Sequence, residues 1–243
     1  MSQHVAEVTL PEAGRVEHVH ADVSGGWLRA AVFGAMDGLV TNIALVAGVG
    51  GAGAAREVII LTGMAGLVAG ALSMALGEYA SVKTQNDAVA REVAIERAEI
   101  ARRPDAERAE LAAMYQEMGL SRQTAEAVAS ELHADPEVAV RVHVTQELGV
   151  DPEEQPSPWA AAISSLVCFA LGGIIPLIPF LIGSSSLALG LLVGAVGLFG
   201  LGAATARFTT RAWWWAGLRQ LTFGGLAVAA TYVIGSLIGA SVF

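Results

Sequence analysis

Five stretches of the chain are apolar over at least 20 residues. A helix rises about 1.5 Å per residue, so about 20 residues cross the roughly 30 Å of hydrocarbon in a bilayer. The pattern therefore predicts an all-α polytopic membrane protein with five transmembrane helices. The predicted spans are residues 28–49, 58–80, 159–182, 187–206 and 221–243.

Residues 81–158, between the second and third spans, are polar and rich in Ala, Glu, Arg and Leu, which favour helices. The first helix of this segment is expected to continue directly out of span two and to end at Pro104. Asp105 is expected to cap the next helix. Ser121 is a start signal for a later helix, and Gly149 is a stop signal. The segment is predicted to be a cytoplasmic helical insert.

The pattern divides the chain into four parts. Residues 1–26 are polar and lack the basic start and apolar core of a signal peptide, so they are expected to form a flexible cytoplasmic N-terminal tail. Residues 27–80 hold transmembrane helices one and two. Residues 81–158 form an acidic helical domain that is expected to bind metal, and residues 159–243 hold transmembrane helices three to five.

Composition supports lipid as the solvent of the apolar parts. The chain is 54% hydrophobic and 15% charged, whereas a soluble domain carries about 25% charged residues. All 23 acidic residues precede residue 155, and residues 159–243 carry only three Arg. Such a segment cannot form an ordinary water-facing surface, so a lipid bilayer is its expected partner.

The negative charge is concentrated in the insert. Residues 81–158 contain 8 Lys or Arg and 16 Asp or Glu, a balance of −8, within a net charge of −9 for the chain. This charge argues against nucleic acid as a partner and favours cations. Cys168 is the only cysteine, so an intrachain disulfide and a thiolate zinc site are excluded.

The distribution of basic residues predicts the orientation, because cytoplasmic loops are enriched in Lys and Arg. Arg56 is the only basic residue in the loop after span one, and the loop 183–186 has none. We therefore expect the N-terminus and the insert in the cytoplasm and the C-terminus outside. With no targeting segment and a composition rich in Ala, Gly and Arg, a bacterial plasma membrane is the expected location. The basic residues on the cytoplasmic side are Arg15, Arg29, the eight in the insert, Arg207, Arg211 and Arg219.

Two acidic residues lie within the predicted spans, Asp37 and Glu78. An ionisable group at the bilayer centre costs about 3 kcal/mol and is usually kept for a pathway or a partner. Met74 lies four residues before Glu78, on the same helix face, and Asp37 is expected at an overlapping depth. Oxygen combined with soft sulfur favours Fe²⁺ or another first-row cation over Mg²⁺ or Ca²⁺. Core packing for Met74 and solvation at the interface for Glu78 are the competing interpretations.

Acidic side chains and one histidine recur at helical spacing in the insert. Carboxylates from facing helices with a histidine are how helical bundles bind first-row metals, and a cation relieves repulsion between like charges four residues apart. A solvated acidic face interspersed with arginines is the competing interpretation. The predicted ligands are Glu92, Glu96, Glu99, Glu107, Glu110, His143 and Glu147.

Three sequence segments in combination resemble the vacuolar iron transporter family, in its prokaryotic form with a cytoplasmic metal-binding insert. They are Gly34-Ala-Met-Asp-Gly-Leu-Val40, Gly70-Ala-Leu-Ser-Met-Ala-Leu-Gly-Glu-Tyr79 and Gly172-Gly-Ile-Ile-Pro176. The order of two spans, an acidic insert and three spans is also that of the family. The resemblance covers the chain from about Trp27 to its end.

The resemblance implies a homodimer with the ion path at the subunit interface, and exchange of Fe²⁺ for protons. The family's membrane-site Asp and Met fall on Asp37 and Met74, and one further membrane Glu falls on Gly66 here. A Met that helps to bind metal in the insert falls on His143. The family's insert glutamates fall on Glu96, Glu99, Glu107, Glu110 and Glu147.

The resulting hypothesis is a transporter, not an enzyme, that exports Fe²⁺ from the cytoplasm in exchange for protons. It needs no prosthetic group, because Fe²⁺ or Mn²⁺ is its bound and transported ion. Mn²⁺ as the main cargo is one alternative, and a membrane-anchored metal-binding or sensing protein is another. A di-iron oxidase is disfavoured because the insert has no paired Glu-x-x-His ligands.

Overall fold

The computed structural model describes residues 26–242, so the predicted tail lies outside the described residues except for Gly26. Throughout this range the regular structure is helical, which confirms the all-α prediction. A four-residue helix, α7, follows α6 after a 3₁₀ turn. The helices are α1 (Gly26–Gly51), α2 (Arg56–Arg102), α3 (Pro104–Glu117), α4 (Arg122–Leu132), α5 (Pro136–Leu148), α6 (Pro158–Ile174), α7 (Ile178–Leu181), α8 (Leu187–Thr205) and α9 (Trp213–Val242).

Five helical segments in the described range are long and apolar enough to cross a membrane, as predicted. They are α1, α2, α6 with α7, α8 and α9. The start predicted for span five, residue 221, was wrong, because α9 begins at Trp213. Arg219 and Gln220 interrupt the apolar stretch, but both residues favour helix. The helix therefore begins about two turns before the predicted apolar stretch.

The third span is not the single helix that the sequence predicted over residues 159–182. α6 ends at Ile174, and residues Ile175–Leu177 form a 3₁₀ turn that leads into α7. Pro176 has no N–H and its ring excludes the carbonyl one turn earlier, so it cannot continue an α-helix. The Ile175 N–H bonds to the Gly172 carbonyl instead. The break lies at the end of the span farther from the insert.

α1 is the central helix of the membrane domain and contacts α2, α6, α8 and α9. Glycine permits its close approach to α6. A Cβ added at Gly38 would lie 2.2 Å from the Phe169 carbonyl oxygen, and one at Gly34 would lie 2.6 Å from that of Ser165. The two backbones therefore touch on this face of α1, and no larger side chain fits between them.

α2 is one continuous helix of 47 residues, which is about 70 Å long and more than twice the hydrocarbon thickness. Its polar C-terminal half therefore extends out of the bilayer into the insert, as predicted. The expectation that Asp105 caps α3 was wrong. Arg103 occupies the N-cap position and Asp105 lies in the first turn. Ser121 caps α4, and Gly149, with φ +67°, ends α5, as expected.

Two small apolar cores hold the insert together. α5 packs on the C-terminal part of α2, and α3 packs on α4. Alanine at many of the contacts lets these short helices approach closely. The packing places the acidic face of α2 beside the histidine of α5. The α2–α5 core contains Ile100, Ala139, Val140 and Val144, and the α3–α4 core contains Leu111, Ala112, Ala125 and Ala129.

Candidate metal-binding sites

Asp37 lies on α1 next to the glycine that packs against α6, and its side chain is half-buried. The Thr41 hydroxyl donates a hydrogen bond of 3.3 Å to its Oδ1 atom. Phe33, one turn earlier on α1, is 53% exposed, so this side of the helix is at the surface of the chain. Asp37 thus presents a carboxylate that packing within the chain does not enclose.

Two contacts define the antiparallel register of α1 and α2. At one end, Arg29 pairs with Glu78 at 2.7 Å. Further along, the Asn42 Oδ1 atom lies 3.6 Å from the position of a Cβ added at Gly66. This register places Asp37 about one helical turn from Met74 in depth, at about 1.5 Å per residue. Met74 is half-buried. The register therefore brings a carboxylate oxygen and a thioether sulfur to similar depth on adjacent helices.

Glu78 has a protein partner that the sequence did not suggest. Its side chain is 8% exposed, and its Oε2 atom accepts a 2.7 Å hydrogen bond from the Arg29 guanidinium. The two residues are 49 positions apart, on different helices, so periodicity gave no signal for the pair. The Arg29 charge compensates the buried carboxylate. A metal-binding role for Glu78 stays a prediction.

Three of the predicted insert ligands converge on one point. His143 is fully buried, and its Nδ1 atom lies 3.1 Å from Glu96 Oε1 and 3.5 Å from Glu147 Oε1. One ligand atom from each of the three residues lies within 4.8 Å of the others. We call these residues the insert trio. Two carboxylates and one imidazole at this separation can ligate a single first-row divalent ion.

The electrostatics of the insert trio favour a cation. Glu96 Oε1 is buried and makes no hydrogen bond within residues 26–242, although the nearby His143 nitrogen is 3.1 Å away. Burial raises the pKa of Glu96, the charges of Glu147, Glu107 and Glu110 raise it further, and His143 opposes the shift. A divalent ion would neutralise this repulsion and satisfy the orphaned oxygen.

The other predicted insert ligands lie outside the trio. Glu107 is buried and Glu110 is exposed, and both are close enough to act on the pKa of Glu96. Glu99 pairs with Arg103 and with Arg102, and the hydrogen bond from Arg103 lowers the pKa of Glu99. Glu92 is exposed. The structure does not bring Glu92 and Glu99 into the trio, so their roles as ligands stay predictions.

His133 is a further residue of this site that the sequence did not single out as a ligand. Its Nε2 atom lies 3.0 Å from the Nε2 atom of His143, and the two rings meet edge to face with centroids 5.2 Å apart. Burial lowers the pKa of His133, and His143 and Arg108 add to this effect. The sequence offered one hint that the two residues act together: they are the only histidines of the insert.

The fold and these sites define a class of protein: a helical membrane protein with candidate metal ligands both in its spans and on an acidic insert. Residues 28–236 match the sequence profile of the VIT family. The chain belongs to the VIT family, which confirms the resemblance found in the sequence.

Curated relatives align with nearly the whole chain and support the same family. A vacuolar iron transporter of Centaurea cyanus is 32% identical over 230 residues, which cover 92% of this chain and 93% of that protein. A vacuolar iron transporter of Acanthamoeba castellanii is 36% identical over 226 residues, covering 88% and 79%. Vacuolar iron transporter 1 of Arabidopsis thaliana is 28% identical over 218 residues, covering 88% and 87%. These relatives are named as transporters and not as enzymes, in agreement with the prediction.

Proposed function

We propose that the protein transports divalent iron across its membrane and exports it from the cytoplasm in exchange for protons. Membership of the VIT family and the names of its relatives support a metal-ion cargo. The observation that carries the proposal is the continuity of α2, which bears both Met74 in the bilayer and Glu96 of the insert trio. These residues are 22 positions apart, about 33 Å along one rigid helix.

The insert trio acts as the collecting site in this mechanism. Its negative surroundings raise the local concentration of Fe²⁺, which then passes to Asp37 and Met74. Binding of a proton to the membrane carboxylate releases the ion on the far side. Asp37 suits this step because its carboxylate is held only weakly: within the described residues it accepts one long hydrogen bond, from the Thr41 hydroxyl. Glu78, the other carboxylate within the predicted spans, is already paired with Arg29.

Mn²⁺ is the second candidate cargo. The oxygen and nitrogen ligands of the insert trio suit Mn²⁺ as well as Fe²⁺, whereas the Met74 sulfur suits Fe²⁺ better. A flux assay with Fe²⁺, Mn²⁺, Zn²⁺ and Co²⁺ in competition, on purified protein in liposomes, would rank the ions. If Mn²⁺ is taken up in preference to Fe²⁺, manganese replaces iron as the proposed cargo.

The proposal includes a homodimer with the ion path between the subunits. The partly exposed position of Asp37 supports this arrangement. A carboxylate that faces lipid is costly, and a second copy of the chain packed against α1 and α2 would remove it from lipid. The protein is proposed to lie in a bacterial plasma membrane with the insert in the cytoplasm.

Transport by Asp37 variants tests the mechanism. Inside-out proteoliposomes with a pH gradient are loaded with Fe²⁺ from outside, and uptake is followed with an internal chelating dye. We expect the Asp37→Asn variant to lose uptake and the Thr41→Val variant, which removes only the hydrogen bond, to keep it. Unchanged uptake by Asp37→Asn would refute the membrane site. Metal binding without any flux in the wild-type protein would favour the sensing alternative.

A further inference from the structure

The two histidines of the insert contact each other through equivalent ring nitrogens. His143 Nε2 and His133 Nε2 are 3.0 Å apart, a hydrogen-bond distance in which one nitrogen donates and the other accepts. His133 occupies the C-cap position of α4, and His143 lies in the middle of α5. The contact therefore joins two helices of the insert directly at the candidate metal site.

A metal ion in the insert trio would determine the direction of this hydrogen bond. The Nδ1 atom of His143 faces Glu96 and Glu147 and must offer its lone pair to the ion. A neutral imidazole carries one N–H, so the proton of His143 must then be on Nε2. That N–H points at His133, whose Nε2 atom is the acceptor.

We propose that His133 is a positioning residue of the insert metal site: it accepts the Nε2–H hydrogen bond of His143 and holds that ring with Nδ1 turned toward Glu96 and Glu147. The proposal rests on the proposed metal-binding function of the insert. His133 itself is not a ligand of this ion, because it contacts the edge of the His143 ring opposite to Nδ1. Partners of this kind fix the tautomer and orientation of ligating histidines in metal sites.

The test measures Mn²⁺ binding to the full-length protein in detergent, with the signal of the His143→Ala variant subtracted to isolate the insert site. We expect His133→Leu to raise the Kd for Mn²⁺ about 10- to 100-fold, the usual effect of losing such a partner. His133→Gln offers a carbonyl oxygen near the same place, and we expect it to recover most of the lost affinity. Pulsed EPR of the bound Mn²⁺ is expected to show one coordinated imidazole in the wild type and still one in saturated His133→Leu.

Two results would overturn the positioning role. One is an unchanged Kd in His133→Leu, and the other is a second coordinated imidazole in the wild type that disappears in that variant, which would make His133 a ligand. The EPR result on the wild type holds even where His133→Leu does not fold. Equal Mn²⁺ binding by the wild type and His143→Ala would refute the insert metal site itself, and so separates failure of the proposed function from failure of this inference.

Discussion

Arg29 and Glu78 form an ion pair that joins the first turn of α1 to α2. The carboxylate is 8% exposed and the guanidinium 64%, so the pair lies between a buried and a surface salt bridge. Its loss would leave a buried carboxylate without a partner. The pair sits at the end of the α1–α2 contact that also sets the relative depth of Asp37 and Met74.

We expect Arg29→Gln to destabilise the protein by about 1–3 kcal/mol, between the values typical of exposed and buried pairs. The double variant Arg29→Gln with Glu78→Gln should recover part of this loss, because no charge then remains buried. Thermal unfolding in detergent measures both effects. Strictly additive losses from the two single variants would show that the pair contributes no coupling energy.

At this scale, the sequence predicted the contact within one helix and missed two partners that come from other helices. The i, i+4 spacing placed His143 and Glu147 together, and the structure confirms that proximity. The partners Arg29 and His133 come from other helices, at separations of 49 and 10 residues. Hydrophobic periodicity reports which residues share a helix face, not which face of another helix they meet.

At the scale of elements, the contact of α1 with α6 bears on the candidate membrane site. Gly38 follows Asp37 directly and packs against the backbone of Phe169, which fixes the rotation of α1 at this level. A methyl group at Gly38 would collide with backbone, which cannot move aside as a flexible side chain can. The close approach is therefore a structural condition for the site.

We expect Gly38→Ala to lower the unfolding temperature, at a cost of about 1–3 kcal/mol or more for overpacking, and to reduce metal flux. Gly200→Ala is the matched control, because a Cβ added there meets no atom within 4 Å. It should be neutral or slightly stabilising, since alanine favours helix over glycine. Equal behaviour of the two variants in melting and flux assays would contradict this account of α1–α6 packing.

Helix boundaries were predictable where a side chain or a glycine marks them. Ser121 accepts the Thr124 N–H at the start of α4, and Gly149 adopts the left-handed conformation at the end of α5. Asp105 was misplaced because Pro104 already occupies the first helical position, so the cap is Arg103, two residues before Asp105. The break at Pro176 was missed because the flanking residues are continuously apolar, and hydropathy does not register a proline.

At the scale of the whole molecule, the exposed apolar face of α2 allows a test of the proposed homodimer. This apolar face is exposed along α2, the helix that also carries Met74. Either lipid or a second copy of the chain covers it. Its exposed residues are Leu61, Val68, Leu72 and Leu76.

In a Cys168→Ala background, we expect Leu72→Cys to form a covalent dimer with a short bifunctional maleimide in native membranes. Leu226→Cys is the control, because that residue is 65% exposed on α9, away from the proposed interface. It should remain monomeric under the same conditions. Gel mobility gives the measurement, and dimers from Leu226→Cys alone would place the interface on the other side of the protomer.

The proposed orientation of the molecule rests on the side on which its cations lie. The turn between α8 and α9 carries Arg207 and Arg211, and five spans place this turn on the same side as the insert. The loop between α7 and α8 carries no charge. Because basic residues are retained in the cytoplasm, the acidic insert would face the cytoplasmic metal pool, which export requires.

Cysteine labelling in whole cells checks this orientation. In the Cys168→Ala background, Ser185→Cys lies in the exposed loop before α8, and Ser130→Cys lies on the exposed side of α4 in the insert. A membrane-impermeant maleimide should label Ser185→Cys in intact cells and Ser130→Cys only after permeabilisation. The opposite pattern would place the insert trio outside the cytoplasm. The ion would then be collected from the outer compartment, and the same ligands would support import instead of export.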